Sequence, residues 1–570
     1  MASSAPSDTA STHAKETSPS STPSIHPPQQ QDFYAPTAAA SPEEPPAKEK
    51  KSFAFWLIFV SLCCACFLSA LDLTAVSTAL PQIAADFDTA DYSWIGSAYA
   101  LTSTALIPWT GGLAAIFGRR AVMLVALVLF ALGSALTGAG QSMAMVIGGR
   151  SIQGVGGGAI LTMTEIVVTD LVPLAERGAY FGILGAVWAL ASAIGPPIGG
   201  ALASAGAWRW LFYLNLPLSG LAMALVLLFL DVKAPKTTTK EKLEQMDWVN
   251  VIFVAASTSL ILGLTWGGVT YPWSSFRVLV PLLLGIAGIV VFLLLERSFV
   301  KYPTVPFEIL SHRTSLLGYL TTFLHSVVVM AIIYFLPVYF QADKGASAIQ
   351  SGVDFFAMSF VIAPFAIFVG ISVTVTGHYR TQNAIGWAFI VLGMGLFTLL
   401  KWDSSKAMWA GFSVIAAIGL GILYAATNFP VLAPLKPAQQ PHAMAFFGFV
   451  SAFGQVFGIA IGSTILQNQL AKTLPADFAA QFGEGEIAYA AIPYIKSLDE
   501  PLRTLVRAAF ADSLKVIWQT CIGLAGLGLL LSLGIQQMTL TTETDEENWG
   551  LNEREKGGKL GREEEKAGTP

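Results

Sequence analysis

Fourteen apolar runs, each long enough to cross a bilayer as a helix, follow one another between residues 53 and 536. No other feature of the chain limits its fold so tightly. Inside hydrocarbon every backbone N–H and C=O must be satisfied within the protein, so a spanning run must be helical. The runs lie at 53–80, 93–114, 121–140, 143–169, 179–203, 210–230, 247–268, 279–297, 314–341, 354–376, 382–400, 407–429, 441–470 and 514–536. Charged residues make up 12% of the chain, about half the roughly 25% of a soluble domain. They cluster in the tails and between the runs. An all-α polytopic membrane protein is expected.

The ends and connections set the expected topology. Residues 1–52 are rich in Ser, Thr, Pro, Ala and Gln and cannot bury a core, so disorder is expected there. They carry no apolar stretch of a signal peptide and no Arg of a mitochondrial presequence. Lys48, Lys50 and Lys51 precede the first run, which favours a cytosolic N-terminus, and an even number of spans returns the C-terminus to the same side. With that orientation Arg119, Arg120, Arg177, Lys233, Lys236, Arg313, Arg380 and Lys436 fall in inside connections, and far fewer basic residues fall outside. The segment 231–246 reads as a polar cytosolic linker and 471–513 as a long external loop. The end of that loop, PLRTLVRAAFADSLKVIW, reads either as an interfacial helix or as the last span extended into water. Residues 537–570 are charged and expected to be disordered.

Ionisable residues within spans are costly and usually functional. Asp72 sits late in the first run. An ionised carboxylate there needs a partner; nearby hydroxyls such as Thr74 would make it structural instead. Arg150 lies in the fourth run and falls toward the same outer half, so the two can pair across adjacent helices. Arginine cannot shed its proton, so Arg150 cannot carry one; it can only set how readily a neighbouring carboxylate holds one. A purely structural pair is the other reading. Glu165 lies roughly 22 Å deeper on the same helix and reads as a second proton site, a contact for a cationic substrate, or an interfacial charge. The second half carries no acid mid-span. Its polar span residues Tyr334, Asn428 and Gln455, with Gln153 of the first half, are the candidate substrate contacts. His325 reads as a core histidine. Cys63, Cys64, Cys66 and Cys521 lie in spans with no His beside them and read as packing residues, so neither metal nor cofactor is expected.

The stretch Gly185–Gly200, GAVWALASAIGPPIGG, combines four glycines with Pro196-Pro197 inside an apolar run. Ala191, Gly195 and Gly199 are spaced by four and form a smooth strip that lets another helix approach closely, as a sliding contact or as a static one. The glycines at Gly454, Gly458 and Gly462 echo the strip in the thirteenth run. With 247–297 taken as an insertion, the two fall at matching positions of two six-helix halves, the pattern of a rocking transporter.

Taken together, these stretches resemble the fourteen-helix drug/proton antiporter family of the major facilitator superfamily, in its fungal multidrug and toxin-efflux branch. LDLTAVSTALP at 71–81, GRSIQGVGGGA at 149–159, DLVPLAERGAYFG at 170–182, the fifth-helix glycine-proline string, WRWLFYLNLP at 208–217 and IGSTILQNQL at 461–470 follow in that family's order. The resemblance implies two six-helix bundles, 53–230 and 314–536, with two extra helices between. It implies proton-coupled export of a small organic compound from a monomer in the plasma membrane, with the vacuolar membrane as the other address. Asp72, Arg150 and Glu165 would carry proton coupling. Gly111, Gly118, Arg119, Arg120, Gly185, Gly195, Pro196, Gly199 and Gly200 would carry gating. One position departs from the pattern: the loop GGLAAIFGRR has Ala115 where the family carries an aspartate that latches the cytosolic gate, so Asp170 or another acid would have to substitute.

Import of a nutrient, siderophore or amino acid on the same fold, and a transport-dead sensor with working tails, are the alternatives. The chain has no nucleotide loop, metal constellation or nucleophile elbow, which argues against an enzyme or an ATP-driven pump. It has no basic tract with interleaved aromatics that would suit nucleic acid.

Overall fold

The computed structural model describes residues 51–87, 93–233, 238–268, 271–482, 491–545 and 549. The expected disorder of residues 1–50 and 551–570 lies outside them. Helices α1 (Phe53–Phe87), α2 (Ser93–Phe117), α3 (Arg119–Gly138), α4 (Met143–Leu171), α5 (Leu174–Ser204) and α6 (Arg209–Phe229) occupy the first six runs. A short α7 (Thr239–Gln245), opened by a reciprocal Thr238–Glu241 cap, sits in the linker. The hairpin α8 (Asn250–Trp266) and α9 (Phe276–Phe299) follows, then α10 (Glu308–Ser311). The second half holds α11 (Arg313–Ala342), α12 (Ala348–Asp354), α13 (Phe356–Thr376), α14 (Arg380–Phe397), α15 (Lys406–Ala426), α16 (Asn428–Leu432) and α17 (Gln440–Thr473). Short α18 (Ala476–Ala479) and α19 (Ile492–Ile495) lead to α20 (Leu502–Leu533).

Every expected run therefore carries a helix. Among the described residues twelve helices are long and apolar enough to cross a membrane. Helix α8 falls short by length, and α14 is diluted by Arg380, Gln382 and Asn383 in its first turn. The stretch PLRTLVRAAFADSLKVIW is the beginning of one continuous α20, not a separate interfacial helix. Nothing breaks its backbone ladder, and Arg507, one of its charges, is used at the helix start on the carbonyl of Asp343.

Glycines set how closely the first helices pack. A Cβ on Gly156 would lie 2.5 Å from the Ala126 carbonyl of α3, and one on Gly158 would lie 2.5 Å from the Ser103 carbonyl of α2. Helix α4 is thus clasped between α2 and α3 at backbone distance. Helix α5 uses its small residues on two different partners. The expected strip faces α1 of the same half: Thr74 Oγ1 lies 3.5 Å from the Ala191 carbonyl, and a Cβ on Gly199 would meet the Ala75 carbonyl at 2.1 Å. That face packs within one half. The contact between halves is made by Gly178 and Gly182 on α13, Gly185 on Tyr424 of α15 and Gly200 on Ile349 of α12. Gly195 and Gly199 therefore lie against α1 of their own half, and Gly178 and Gly182 lie on the contact between the halves. The spacing of small residues foretells a close approach but not the identity of the neighbour.

Contacts sort the loops onto two faces. One face carries Arg119, Arg177, Tyr379 and the segment after α20; the other carries Asp86, Arg209, Asp343 and Arg507. On the Arg119 face the halves touch through Arg177 Nη1 donating to Gln440 Oε1 at 3.0 Å and through Gly111 against Ala445. Of the tail expected to be disordered, residues 537–545 lie among the described residues. They are anchored by hydrogen bonds to the α13–α14 turn and to the start of α5.

Candidate functional site

Five helices converge on Asp72. Its Oδ2 accepts from Arg150 Nη1 at 2.6 Å, and its Oδ1 accepts from Gln153 Nε2 at 2.9 Å and Asn215 Nδ2 at 2.7 Å. Ser134 of α3 accepts from both amides, at 2.6 and 3.2 Å. Gln153 closes the ring by accepting from Arg150 Nη1 at 2.7 Å, which fixes its amide with the N–H₂ end toward the carboxylate. Arg150 Nε donates to the Ile95 carbonyl of α2, and the guanidinium sits 4.4 Å from the Tyr99 ring centroid. Asp72 is 3% exposed, Arg150 1% and Gln153 0%. An ionised carboxylate that takes three donors, one of them cationic, is a satisfied buried charge. The three donors fill three of the roughly four acceptor sites of the carboxylate, so a proton arriving on it would take the last one and cancel the charge that those donors share.

The expected Asp72–Arg150 pair is therefore formed. Gln153, expected at the substrate surface, is instead sealed within this ring, because its register one turn beyond Arg150 points it at the same carboxylate. Ser134 and Asn215 complete the ring and were not singled out in the sequence, although Asn215 lies in the conspicuous WRWLFYLNLP stretch. An amide in an apolar span was the available signal.

Glu165 stands apart from the ring. Its Oε2 has no hydrogen-bond partner, and a Cβ placed on Gly448 of α17 would lie 3.7 Å from it and 3.7 Å from Thr162 Oγ1. It thus faces the second half across the interface between the bundles, not the outer network. Among the other expected contacts, Tyr334 is 40% exposed and Gln455 partly exposed, whereas Asn428 is buried and donates to the Ala425 carbonyl. His325 packs edge-on against Trp387 in the core.

The gate residues cluster on the Arg119 face. Gly118 has φ +89°, a conformation that favours glycine, and turns the chain from α2 into α3. That turn delivers Arg119 to Asp170: Nε and Nη2 donate to Oδ2 and Oδ1 at 2.8 and 3.3 Å, and Nη1 donates to the Ala114 carbonyl. Asp170 thus supplies a carboxylate partner for Arg119, although Ala115 offers none. Arg120 reaches the Leu227 carbonyl. Arg177 caps the end of α4 by donating to the Thr169 and Val172 carbonyls.

A further buried acid lies on the opposite face. Asp343, fully buried at the end of α11, has no hydrogen-bond partner for either carboxylate oxygen. Its neighbours are engaged elsewhere. Arg507 donates to the Asp343 carbonyl, and Lys344 Nζ donates to the Trp402 and Ser404 carbonyls at 2.7 and 2.6 Å. Burial pushes the Asp343 carboxyl well above the usual carboxylate range, and the charges of Lys344 and Arg507 oppose that only in part.

A model of the Major Facilitator Superfamily matches residues 62–459. The chain belongs to that superfamily. The efflux pump FUS6 of Gibberella moniliformis is 39% identical over 530 residues, 91% of this chain and 94% of the relative. The MFS-type efflux pump LUC4 of a Fusarium species is 40% identical over 525 residues, 90% and 93% of the two chains. The acurin A biosynthesis cluster MFS-type transporter of Aspergillus aculeatus is 37% identical over 519 residues, 89% and 93%. The crystal structure of the human organic anion transporter MFSD10 superposes with a TM-score of 0.55 at 16% identity, covering 85% of this chain and all of that one. That likeness is one of fold. Superfamily membership and the apolar helices make this chain a multi-pass membrane transporter with the major facilitator fold.

Proposed function

We propose that the protein exports a small organic compound, such as a toxin or other secondary metabolite, in exchange for protons. The halves 53–230 and 314–536 rock against each other, and 231–313 rides along as an insert. The names of the relatives support export of this kind. The observation that carries the coupling mechanism is the sealed Asp72 ring. In the present conformation the halves meet on the Arg119 face, and the positive-inside pattern supports reading that face as cytosolic. Protonation of Asp72 would remove the negative half of the ion pair and weaken its bonds to the amides of α4 and α6, so the protonation state of the carboxylate would be tied to how α1, α4 and α6 pack. Glu165, facing the second half at the interface between the bundles, is the candidate acid for a second proton or for a cationic group of the substrate. The plasma membrane is the proposed location.

The test is efflux of fluorescent cationic and neutral compounds from cells lacking their own pumps, with and without a protonophore. Export that collapses with the gradient and is abolished in Asp72→Asn at normal surface level is the expected result. Undiminished export by Asp72→Asn would remove Asp72 from the mechanism, and uptake would reverse the direction.

A further inference from the structure

The segment after α20 crosses the Arg119 face from one half of the transporter to the other. It leaves the membrane with Ile535 fully buried. Gln537 then grips the turn between α13 and α14: its Oε1 accepts from the backbone N–H groups of Tyr379 and Arg380 at 3.3 and 3.2 Å, and its Nε2 donates to the Gly377 carbonyl at 2.6 Å. The Tyr379 hydroxyl donates to the Gln536 carbonyl at 2.8 Å and accepts from the Met538 N–H at 3.0 Å. These bonds hold the segment to the second half. Leu540 then packs against the core, and the Thr541 carbonyl accepts from the Ala175 N–H at 3.1 Å. Ala175 lies in the first turn of α5, where backbone donors have no partner within the helix. Farther on, the Trp549 ring covers Arg119, with 3.2 Å from the guanidinium carbon to the ring centroid. Asp170 and Ala114 take the edge of that guanidinium, and Trp549 takes its face. These later contacts lie on the first half.

We infer that residues 535–545, together with Trp549, act as a latch on the gate. Tyr379 and Gln537 anchor it to the second half. Thr541 and Trp549 fasten it to the first. The ties span the same interface that Gly178–Gly370, Gly111–Ala445 and Arg177–Gln440 close directly. Rocking that parts the halves on this face must pull Ala175 and Arg119 away from the Tyr379 turn, so the latch and the open gate exclude one another. The latch therefore adds to the stability of the conformation seen here and slows the parting of the halves on the Arg119 face. Trp549 and Gln537 are positioning residues for that gate and touch no substrate.

Gate opening is read by labelling. Thr374 of α13 donates to the Glu176 carbonyl of α5 across the closed contact. A Thr374→Cys chain, with its four native cysteines replaced, is prepared in membrane vesicles that expose the Arg119 face and treated with an impermeant maleimide. Gln537→Ala and Trp549→Ala should each label about threefold faster or more, the population shift expected when contacts of ordinary strength are lost from one state. Trp549→Phe, which keeps an aromatic face for Arg119, should label close to the parent rate. Arg177→Ala serves as the control that the assay reports the gate. Parent-like labelling of both Gln537→Ala and Trp549→Ala, with Arg177→Ala accelerated, would overturn the latch. Both tail substitutions lie beyond the last span, so the bundle is left to fold. The readout involves neither substrate nor proton gradient and stands or falls separately from the proposed export.

Discussion

At the scale of single residues the chain handles two buried acids in opposite ways. Asp72 is given three donors; Asp343 is given none. Removing one donor from Asp72 is a graded test. Asn215→Ala leaves Arg150 and Gln153 in place but strips a hydrogen bond to a charged group, a loss of about 1.5–3 kcal/mol. Initial export rates at matched surface level should fall roughly tenfold yet keep their dependence on the gradient, in contrast to the complete loss in Asp72→Asn; a parent-like rate would make the amide dispensable. Asp343 predicts a pH effect of defined sign. Its carboxyl stays protonated in the folded chain to higher pH than in the unfolded chain. Its contribution to stability is then fully present below the ordinary aspartate range and is lost as the pH rises toward the folded-state value. Thermal unfolding of detergent-purified protein should show Asp343→Asn gaining most over the parent at neutral pH and little in acid. An equal gain at pH 4 and pH 8 would contradict that assignment. Asp72 and Arg150 were legible in the sequence because charge in an apolar run is expensive, whereas Gln153 was noticed but given to the substrate surface. Ser134 and Asn215 were not legible, because neutral polar side chains occur in spans for many reasons and only the folded bundle shows which of them meet.

At the scale of the element, the helices could be read from the sequence because the bilayer leaves a long apolar run no other structure. Their partners could not. The small residues of α5 looked like one surface and are two, since residues on successive turns face α1 on one side and α13 on the other. The two faces should respond differently to the same substitution. A Cβ at Gly199 would stand 2.1 Å from the Ala75 carbonyl, inside one half, so Gly199→Ala should lower the unfolding temperature and the amount of folded protein. A Cβ at Gly182 would stand 2.8 Å from Ile367 Cα across the gate. Gly182→Ala should leave the unfolding temperature near that of the parent, raise labelling at Thr374→Cys and reduce export. Equal effects of the two substitutions on stability would mean that the halves do not move as separate bodies at α5. The contacts of the tail were hidden for a related reason. Its composition is that of a disordered segment, but it is held mainly by backbone groups and one glutamine, which composition does not reveal.

At the scale of the whole molecule, the two bundles present two seams to the lipid, and the extra hairpin covers one of them. Helix α8 lies over the line where α2 meets α17. Phe253 packs on Phe449 of α17 and on Phe292 of α9, each with ring centroids 4.9 Å apart, and Trp266 meets Trp94 of α2 edge-on at 5.8 Å. Leu260, Ile261 and Leu264 share a cluster with Leu101 of α2 and Val456 of α17. The α8 hydroxyl of Ser257 bonds within its own helix to the Phe253 carbonyl, and that of Ser259 bonds to the Pro281 carbonyl of α9. Contact across the seam is thus chiefly apolar and without strong directional preference, which lets the halves shift beneath the hairpin at little energetic cost. The hairpin should therefore matter more for stability than for turnover. Phe253→Ala removes the ring that ties α9 to α17 and should cost about 3 kcal/mol of stability, measured as a lower unfolding temperature in detergent. Export per molecule at the surface should stay within about twofold of the parent, because no group of the Asp72 ring or of the Arg119 gate is disturbed. Loss of export at normal surface level and normal unfolding temperature would instead make the hairpin part of the moving machinery.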